Sequence, residues 1–281
     1  MTLQRRDLVI WISASVAVLL GLAVQHQLGA PRSGLMVQGA GACLGAILFF
    51  VLSRVHPPGR ASVAAFGLAV LLAVMALPLV VGPELAGARR WLLLGTISIQ
   101  PSMILLPLVI WLVAVPRPGM DKSLLVLATG GVLALQLDAA ALTGLTLAWL
   151  AAHVRFARRC ELHIWGTALG LVVLTAWVWT RPDALPSVAW VEQVLPNTWG
   201  RGLWTGVTAT LATLLVITPL ALLARGSHAA LSLAAFYAGL VGAALVGNYP
   251  LPVVGLGASL VVGWLIALGL ARAQTRSSPP A

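Results

Sequence analysis

The chain has 281 residues, of which 60% are hydrophobic and only 9% are charged. Soluble globular proteins carry roughly a quarter charged residues, so this composition excludes a soluble domain and predicts an all-α, polytopic integral membrane protein. The formal charge of +10 comes from 17 basic and 7 acidic residues. In a membrane protein such an excess of basic residues sets the topology, and these residues contact anionic membrane lipids. We expect no nucleic-acid partner, and we also expect no metal or cofactor.

Apolar segments follow one another along the whole chain. A spanning helix needs roughly 20 mostly apolar residues, and about ten segments approach that length. We interpret the first as an uncleaved helix, because further spans follow it. One transmembrane domain is expected over residues 1–272, with a disordered cytoplasmic tail over 273–281. The predicted spans are 8–28, 35–53, 62–82, 102–116, 122–137, 139–154, 162–180, 203–224, 229–247 and 253–271.

The basic residues indicate the orientation of these helices. With the N-terminus inside, twelve arginines and lysines fall in predicted cytoplasmic loops and five in outer loops. This bias obeys the positive-inside rule and predicts that both termini are cytoplasmic. The two sizeable loops, 83–101 and 181–202, then lie outside. Because loops often carry function, we expect the chemistry at the outer face.

The first outer loop contains two adjacent arginines, Arg89 and Arg90, followed by Trp91. A guanidinium suits bidentate contact with the oxygens of a phosphate or pyrophosphate. The alternative is a short amphipathic helix over residues 89–94, held at the headgroup layer by arginine and tryptophan. Pro101 then predicts the start of the fourth helix.

Three of the carboxylates near the predicted outer face are candidate site residues. Asp138 lies at a span boundary, where an aspartate either caps the next helix or marks a functional site. Asp183 and Glu192 lie in the second outer loop. Either is a candidate general base if burial raises its pKa, and the alternative is a solvated loop charge beside an aromatic belt.

The stretch 248–259 places two prolines before a glycine-rich helix start. Such a stretch either leaves backbone groups to line a cavity or supplies small residues for close helix packing, and packing is our preferred interpretation.

Three places in the chain resemble motifs of the SEDS family of cell-wall proteins, the RodA/FtsW type. Residues 87–91 read Gly-Ala-Arg-Arg-Trp and are followed by Leu-Gly at 94–95 and Gln-Pro-Ser at 100–102. Residues 136–138, Gln-Leu-Asp, resemble the family's Gln-Pro-Asp element. The stretch 250–259 resembles its Leu-Pro-Phe element near the last helix. We therefore identify the chain as a divergent, short member of that family.

The resemblance implies a role in peptidoglycan synthesis at the bacterial cytoplasmic (inner) membrane. Family polymerases join lipid II disaccharides at the outer face, usually with a class B penicillin-binding transpeptidase as partner. A sugar hydroxyl attacks an anomeric carbon, a carboxylate acts as base, and arginines hold the departing pyrophosphate. The candidate base is Glu192, Asp183 or Asp138. The candidate substrate-binding residues are Arg89, Arg90, Trp91, Gln100 and Ser102.

The chain departs from the family pattern at several positions. Met103 replaces the glutamate that follows Gln-Pro-Ser, and Leu137 replaces a proline. After Leu195 and Pro196, where the family has a catalytic aspartate, no acidic residue follows. Three hypotheses therefore stay open: a lipid II polymerase, a catalytically silent relative that binds lipid II or a transpeptidase as a scaffold, and a lipid transporter.

Overall fold

The computed structural model describes residues 3–55, 61–114, 118–153, 161–181, 185–225 and 227–277. Within these ranges the chain forms eleven α-helices and one short β-hairpin, which confirms the all-α prediction. The helices are α1 Leu3–Gln27, α2 Arg32–Leu52, α3 Ala61–Val81, α4 Pro101–Val113, α5 Met120–Leu135, α6 Ala139–His153, α7 Leu162–Trp179, α8 Val194–Arg201, α9 Leu203–Ala224, α10 His228–Val246 and α11 Ala258–Ser277, and the strands are β1 Leu92–Leu94 and β2 Ile97–Ile99.

Seven of the described helices, α1–α3, α7 and α9–α11, are long and apolar enough to cross a bilayer. The sides of these helices that face away from the bundle expose large apolar side chains such as Met36, Phe66 and Val80, as expected of surfaces in contact with lipid. The protein is therefore a multi-pass membrane protein. Each of the ten predicted spans corresponds to a helix. At 13, 16 and 15 residues, however, α4, α5 and α6 are shorter than a hydrocarbon core of about 30 Å, so the count of ten spans stays a prediction.

Helix α11 lies at the centre of the bundle, packed against α2 and α4. Glycines make these crossings close, because a helix without a Cβ lets its neighbour approach. A Cβ at Gly45 of α2 would lie 2.6 Å from Leu265, and one at Gly269 of α11 would lie 2.9 Å from the Phe49 carbonyl oxygen. The small residues of α11 are thus used for packing along its length.

Helices α6 and α10 form the second close pair. Gly144 and Gly239 face each other, and a Cβ at Gly239 would lie 2.8 Å from the Gly144 Cα. Both helices are buried along most of their length. This pair places the start of α6 and the end of α10 side by side, at the end of the bundle where the three stretches that resemble SEDS motifs meet.

The first outer loop contains a β-hairpin where an amphipathic helix over 89–94 was the alternative expectation. Strands β1 and β2 pair antiparallel, with Leu93 opposite Ser98. Gly95 makes the turn at a φ of +61°, a left-handed conformation that two-residue hairpin turns favour. The helical interpretation is wrong because the chain reverses at Gly95 and residues 92–94 pair as a strand with residues 97–99.

Two further boundaries differ from the sequence prediction. The short helix α8 lies inside the second outer loop, where Pro196 and Gly200 gave no helical signal. Helix α11 begins at Ala258, because residues 250–257 are irregular, and it continues to Ser277. Residues 273–277 of the expected tail continue α11, with Ala273 buried, and residues 278–281 lie outside the described ranges.

We predict that Gly263→Ala destabilises the bundle. A methyl group at Gly263 of α11 would overlap the carbonyl oxygen of Met103 in α4, and overpacking of this kind lowers the free energy of unfolding by about 1–3 kcal/mol. Thermal unfolding in detergent should show a lower Tm. The control is Gly242→Ala in α10, where a Cβ has nothing within 4 Å and alanine is the better helix former. Equal Tm values for both variants would contradict the proposed packing.

Candidate functional site

A cavity of about 310 Å³ opens at the loop end of the bundle. We call it the central cavity. All three sequence stretches that resemble the SEDS motifs contribute to its wall, and the second outer loop adds Glu192. Its principal polar and aromatic residues are Arg90, Trp91, Gln100, Asp138, Glu192, Asn248, Tyr249 and Ser259.

Arg90 is the positively charged residue that lines the central cavity, and it is only 5% exposed. Its Nε donates to the carbonyl oxygen of Gln136 at 3.1 Å, and its Nη2 donates to that of Leu137. The guanidinium carbon lies 5.8 Å from the ring centroid of Trp91 and 5.7 Å from that of Tyr249, within cation–π range. The positive charge is therefore held in one place by the backbone between α5 and α6.

Asp138 lies at the opposite end of the same junction and is 1% exposed. One carboxylate oxygen accepts from Gln100 Nε2 at 2.8 Å, and the other accepts from the backbone N–H of Ala141 at 3.0 Å. The second bond is a helix N-cap, which confirms the capping interpretation for α6. Asp138 also lines the central cavity, so it stays a candidate site residue beside its capping role.

Gln100 connects this junction to the last helix. Its backbone N–H donates to Ser259 Oγ at 3.0 Å, while its side chain bonds Asp138. On the other side of the junction, Gln136 Nε2 donates to the Met75 carbonyl oxygen of α3 at 2.6 Å. Hydrogen bonds thus tie α3, the start of α4, the α5–α6 junction and α11 around one cavity.

The irregular segment 250–257 forms another part of the wall. Gln25 of α1 donates to the carbonyl oxygens of Val253 and Val254, at 3.3 and 3.1 Å. Gln38 of α2 donates to Val253 and accepts from the N–H of Gly257 at 2.9 Å. Both glutamines are fully buried. They satisfy the backbone groups that helix geometry would otherwise satisfy, as irregular backbone within a membrane protein requires. The cavity-lining interpretation of this stretch therefore holds beside the packing one.

Glu192 is presented by a tight turn in the second outer loop. The backbone N–H groups of Val191, Glu192 and Gln193 all donate to the carbonyl oxygen of Val188, and the Val188 N–H donates back to Glu192 Oε2 at 2.8 Å. The turn is docked on segment 250–257 by a bond from the Leu256 N–H to the Trp190 carbonyl oxygen at 2.8 Å. Glu192 is half-buried and reaches the central cavity.

A second cavity, of about 530 Å³, lies between α8 and the end of α10. We call it the side cavity. Glu192 and Asn248 line both cavities, so these two side chains form the partition between them. The remaining wall of the side cavity includes Gln193, Leu195, Pro196, Trp199, Leu245, Val246 and Leu251.

The other predicted site residues lie apart from the cavity. Arg89 points to the exterior of the loop, where it forms an ion pair with Glu84 at 2.9 Å and does not line the central cavity. Ser102 is 1% exposed in the first turn of α4 and is not part of the wall. Asp183 lies outside the described residues. Arg90, Trp91, Gln100, Asp138 and Glu192 are brought together.

Sequence reasoning missed several residues that shape the site. Gln25 and Gln38 were detectable, because an amide inside an apolar span needs a partner. Asn248 and Tyr249 belong to the predicted stretch 248–259, but the sequence did not single them out from it. Over the described residues, no group of three or more His, Cys, Asp or Glu side chains has a metal-binding arrangement.

Comparisons with known proteins agree with the geometry. The family model named for FtsW, RodA and SpoVE and described as "Cell cycle protein" matches residues 5–179. A search of curated protein sequences finds no significant match. Among solved structures, the rod shape determining protein RodA of Thermus thermophilus is similar, at a TM-score of 0.69 and 22% identity over 97% of each chain.

Two further structures share the fold. A mutant of the Thermus thermophilus RodA matches at a TM-score of 0.71 and 22% identity, covering 97% of this chain and 98% of that one. A chain from a peptidoglycan synthase complex, whose structure is described as showing the coordination of polymerization and crosslinking, matches at 0.62 and 23% identity, covering 95% and 96%. These likenesses establish a common fold along nearly the whole chain.

We predict that Gln38→Leu loosens the cavity wall. The change removes the acceptor for the Gly257 N–H and a donor to two carbonyl oxygens, and buried unsatisfied groups of this kind cost about 1–3 kcal/mol each. Hydrogen exchange should accelerate at the amide of Gly257, and Tm should fall. Gln27→Leu is the control, because that side chain is exposed at the end of α1. Unchanged exchange at Gly257 in the Gln38 variant would contradict this role.

Proposed function

The chain belongs to the FtsW/RodA/SpoVE family, and on that premise we propose that it polymerises lipid II, a polyprenyl-pyrophosphate-linked disaccharide, during peptidoglycan synthesis. The reaction takes place at the outer face of the bacterial cytoplasmic membrane, where the positive-inside bias puts both outer loops. One observation supports this activity most directly: Arg90 is a buried cation fixed on the wall of a cavity that also contains carboxylates.

Arg90 suits a departing pyrophosphate. In the transition state the bond between the anomeric carbon and the phosphate oxygen breaks, and its electron pair moves to the pyrophosphate. A cation that is already oriented stabilises this charge without further reorganisation. The bonds to Gln136 and Leu137 provide that orientation, and the rings of Trp91 and Tyr249 lie within cation–π distance of the guanidinium.

Glu192 is the carboxylate best placed to act as the base. Both oxygens of Asp138 hold structural partners, Gln100 and the first turn of α6, so we assign Asp138 a positioning role. Glu192 is half-buried and belongs to both cavity walls. It takes the proton of the attacking sugar hydroxyl while the hydroxyl oxygen forms its bond to the anomeric carbon.

A transpeptidase partner completes the proposal. One chain with the same fold comes from a peptidoglycan synthase complex in which polymerization and crosslinking are coordinated. We propose that this chain likewise works with a class B penicillin-binding transpeptidase, which cross-links the glycan that the membrane protein produces.

The two adjacent arginines provide a sharp test. Arg90→Lys keeps the charge but loses the planar fork that bonds two carbonyl oxygens, and we expect polymerisation of purified lipid II to fall by about 10²–10³. Arg89→Lys alters an exposed ion pair worth less than about 1 kcal/mol and should leave the rate within about threefold. Gel analysis of the glycan, with and without the transpeptidase, measures both. Equal losses for the two variants would contradict the assignment of the cation.

The base is tested in the same assay with two glutamates. Glu192→Gln should reduce the rate by about 10²–10⁴, the usual contribution of a general base. The matched change Glu84→Gln removes a carboxylate that pairs with Arg89 at the exterior and should have little effect. Full activity of Glu192→Gln would refute the assigned base. Binding of lipid II by the unmodified protein without any polymer would favour the silent relative.

A further inference from the structure

The side cavity has features that the pyrophosphate chemistry does not use. Its volume of about 530 Å³ falls within the range of small-molecule sites, roughly 300–1,000 Å³. Among the residues that the structure describes, no arginine or lysine lines it, whereas the central cavity has Arg90. The two cavities therefore differ in charge, and the side cavity suits a neutral, hydroxyl-rich ligand better than a phosphate.

Trp199 of α8 provides an aromatic surface in this cavity. The side chain is 48% exposed, and its indole ring lies against Gly206 of α9, where a Cβ would displace it. The ring is thereby held on one side and remains accessible on the other. Pyranose rings have an apolar face of C–H groups, which packs well on the electron-rich face of an indole.

Asn248 provides a hydrogen-bonding group at the partition. Its Nδ2 donates to the Leu185 carbonyl oxygen at 2.9 Å, which fixes the orientation of the amide. Among the described residues, its Oδ1 is buried and has no hydrogen-bond partner. A buried acceptor without a partner is costly, and Asn248 lines the side cavity; a sugar hydroxyl or acetamido N–H would satisfy the acceptor once the amide turns towards the cavity. Gln193 adds a second amide on the facing wall.

Part of the cavity wall is exposed at the surface of the bundle. Leu245 and Val246, at the end of α10, line the cavity and are 63% and 82% exposed, as expected of residues in contact with acyl chains. A ligand with a sugar at the partition and a polyprenyl chain leaving past Val246 would therefore remain in the bilayer while its sugar reaches Glu192.

From these observations we propose that the side cavity is the acceptor-sugar site, in which Trp199 and Asn248 bind the pyranose whose hydroxyl is deprotonated by Glu192. This inference rests on the proposed function. It adds a division of the site: the donor's pyrophosphate lies beside Arg90 in the central cavity, the acceptor's sugar lies in the side cavity, and Glu192 stands between them.

The competing role for Trp199 is that of an interfacial anchor, since tryptophan is common at headgroup level. Trp204 allows the two roles to be separated. It lies five residues further on, is 81% exposed and lines neither cavity. An anchoring role predicts similar consequences for the two tryptophans, whereas a sugar site predicts consequences for Trp199 alone.

The test measures binding of chitobiose, a soluble N-acetylglucosamine disaccharide, to the full-length protein in nanodiscs by ligand-observed NMR. We expect binding to the unmodified protein, a Kd about tenfold higher for Trp199→Ala, and a Kd within about twofold for Trp204→Ala. Trp199→Phe keeps an aromatic ring and should retain most of the affinity. Binding of polyprenyl pyrophosphate by the same Trp199→Ala protein should be unchanged, which controls for folding and for the central cavity.

The outcomes separate the inference from the proposed function. Equal chitobiose affinity in Trp199→Ala and Trp204→Ala, or no binding by the unmodified protein, would overturn the acceptor site while leaving lipid II polymerisation to be judged by the glycan assay. Selective loss in Trp199→Ala from a protein that makes no polymer would refute the polymerase and retain the sugar site.

Discussion

The site depends on the hydrogen bonds from the Arg90 guanidinium to the carbonyl oxygens of Gln136 and Leu137. These carbonyls are available because α5 ends at Leu135 and α6 begins at Ala139, and Leu137 turns the chain at a φ of +55°. The end of one helix thus fixes a cation, and the N-terminus of the next is capped by Asp138. A short interhelical turn therefore supplies both the carbonyl oxygens that anchor the positive charge and the carboxylate that holds Gln100.

A second constraint is the demand that backbone polar groups within a membrane protein find protein partners. Segment 250–257 is irregular, and Val253 has a φ of +66°, so its groups cannot follow helix geometry. Gln25 and Gln38, from two N-terminal helices, satisfy them. The loop that contains Glu192 is in turn hydrogen-bonded to this segment. Hydrogen bonds from α1 and α2 to the cavity wall therefore help to determine where the proposed base lies.

Among the described residues, hydropathy predicted every helix except α8, because each apolar segment needs its own length of bilayer. The resemblance identified three motif-like stretches, and the fold brings all three to the central cavity. The geometry that distinguishes Arg89 from Arg90 was not predictable. Adjacent residues in the loop before the hairpin point to different partners, and only the fold shows that Glu84 takes one while the α5–α6 junction takes the other. The sequence did not predict helix α8, because tertiary contacts determine whether it forms. It did not predict the hairpin, because a single glycine in the turn determines that structure. The side cavity lies between elements that are distant in the sequence, so no local sequence pattern predicts it.

The central claim is that the anchored guanidinium of Arg90, and not its exposed neighbour, grips the pyrophosphate of a lipid-linked sugar. The most direct measurement is a structure with a donor analogue in which a methylene group replaces the oxygen between the anomeric carbon and the pyrophosphate, so that the leaving group cannot depart. The account predicts both phosphorus atoms in the central cavity, with phosphate oxygens at hydrogen-bond distance from Arg90. A pyrophosphate bound beside Arg89, or at the opposite end of the bundle, would contradict it.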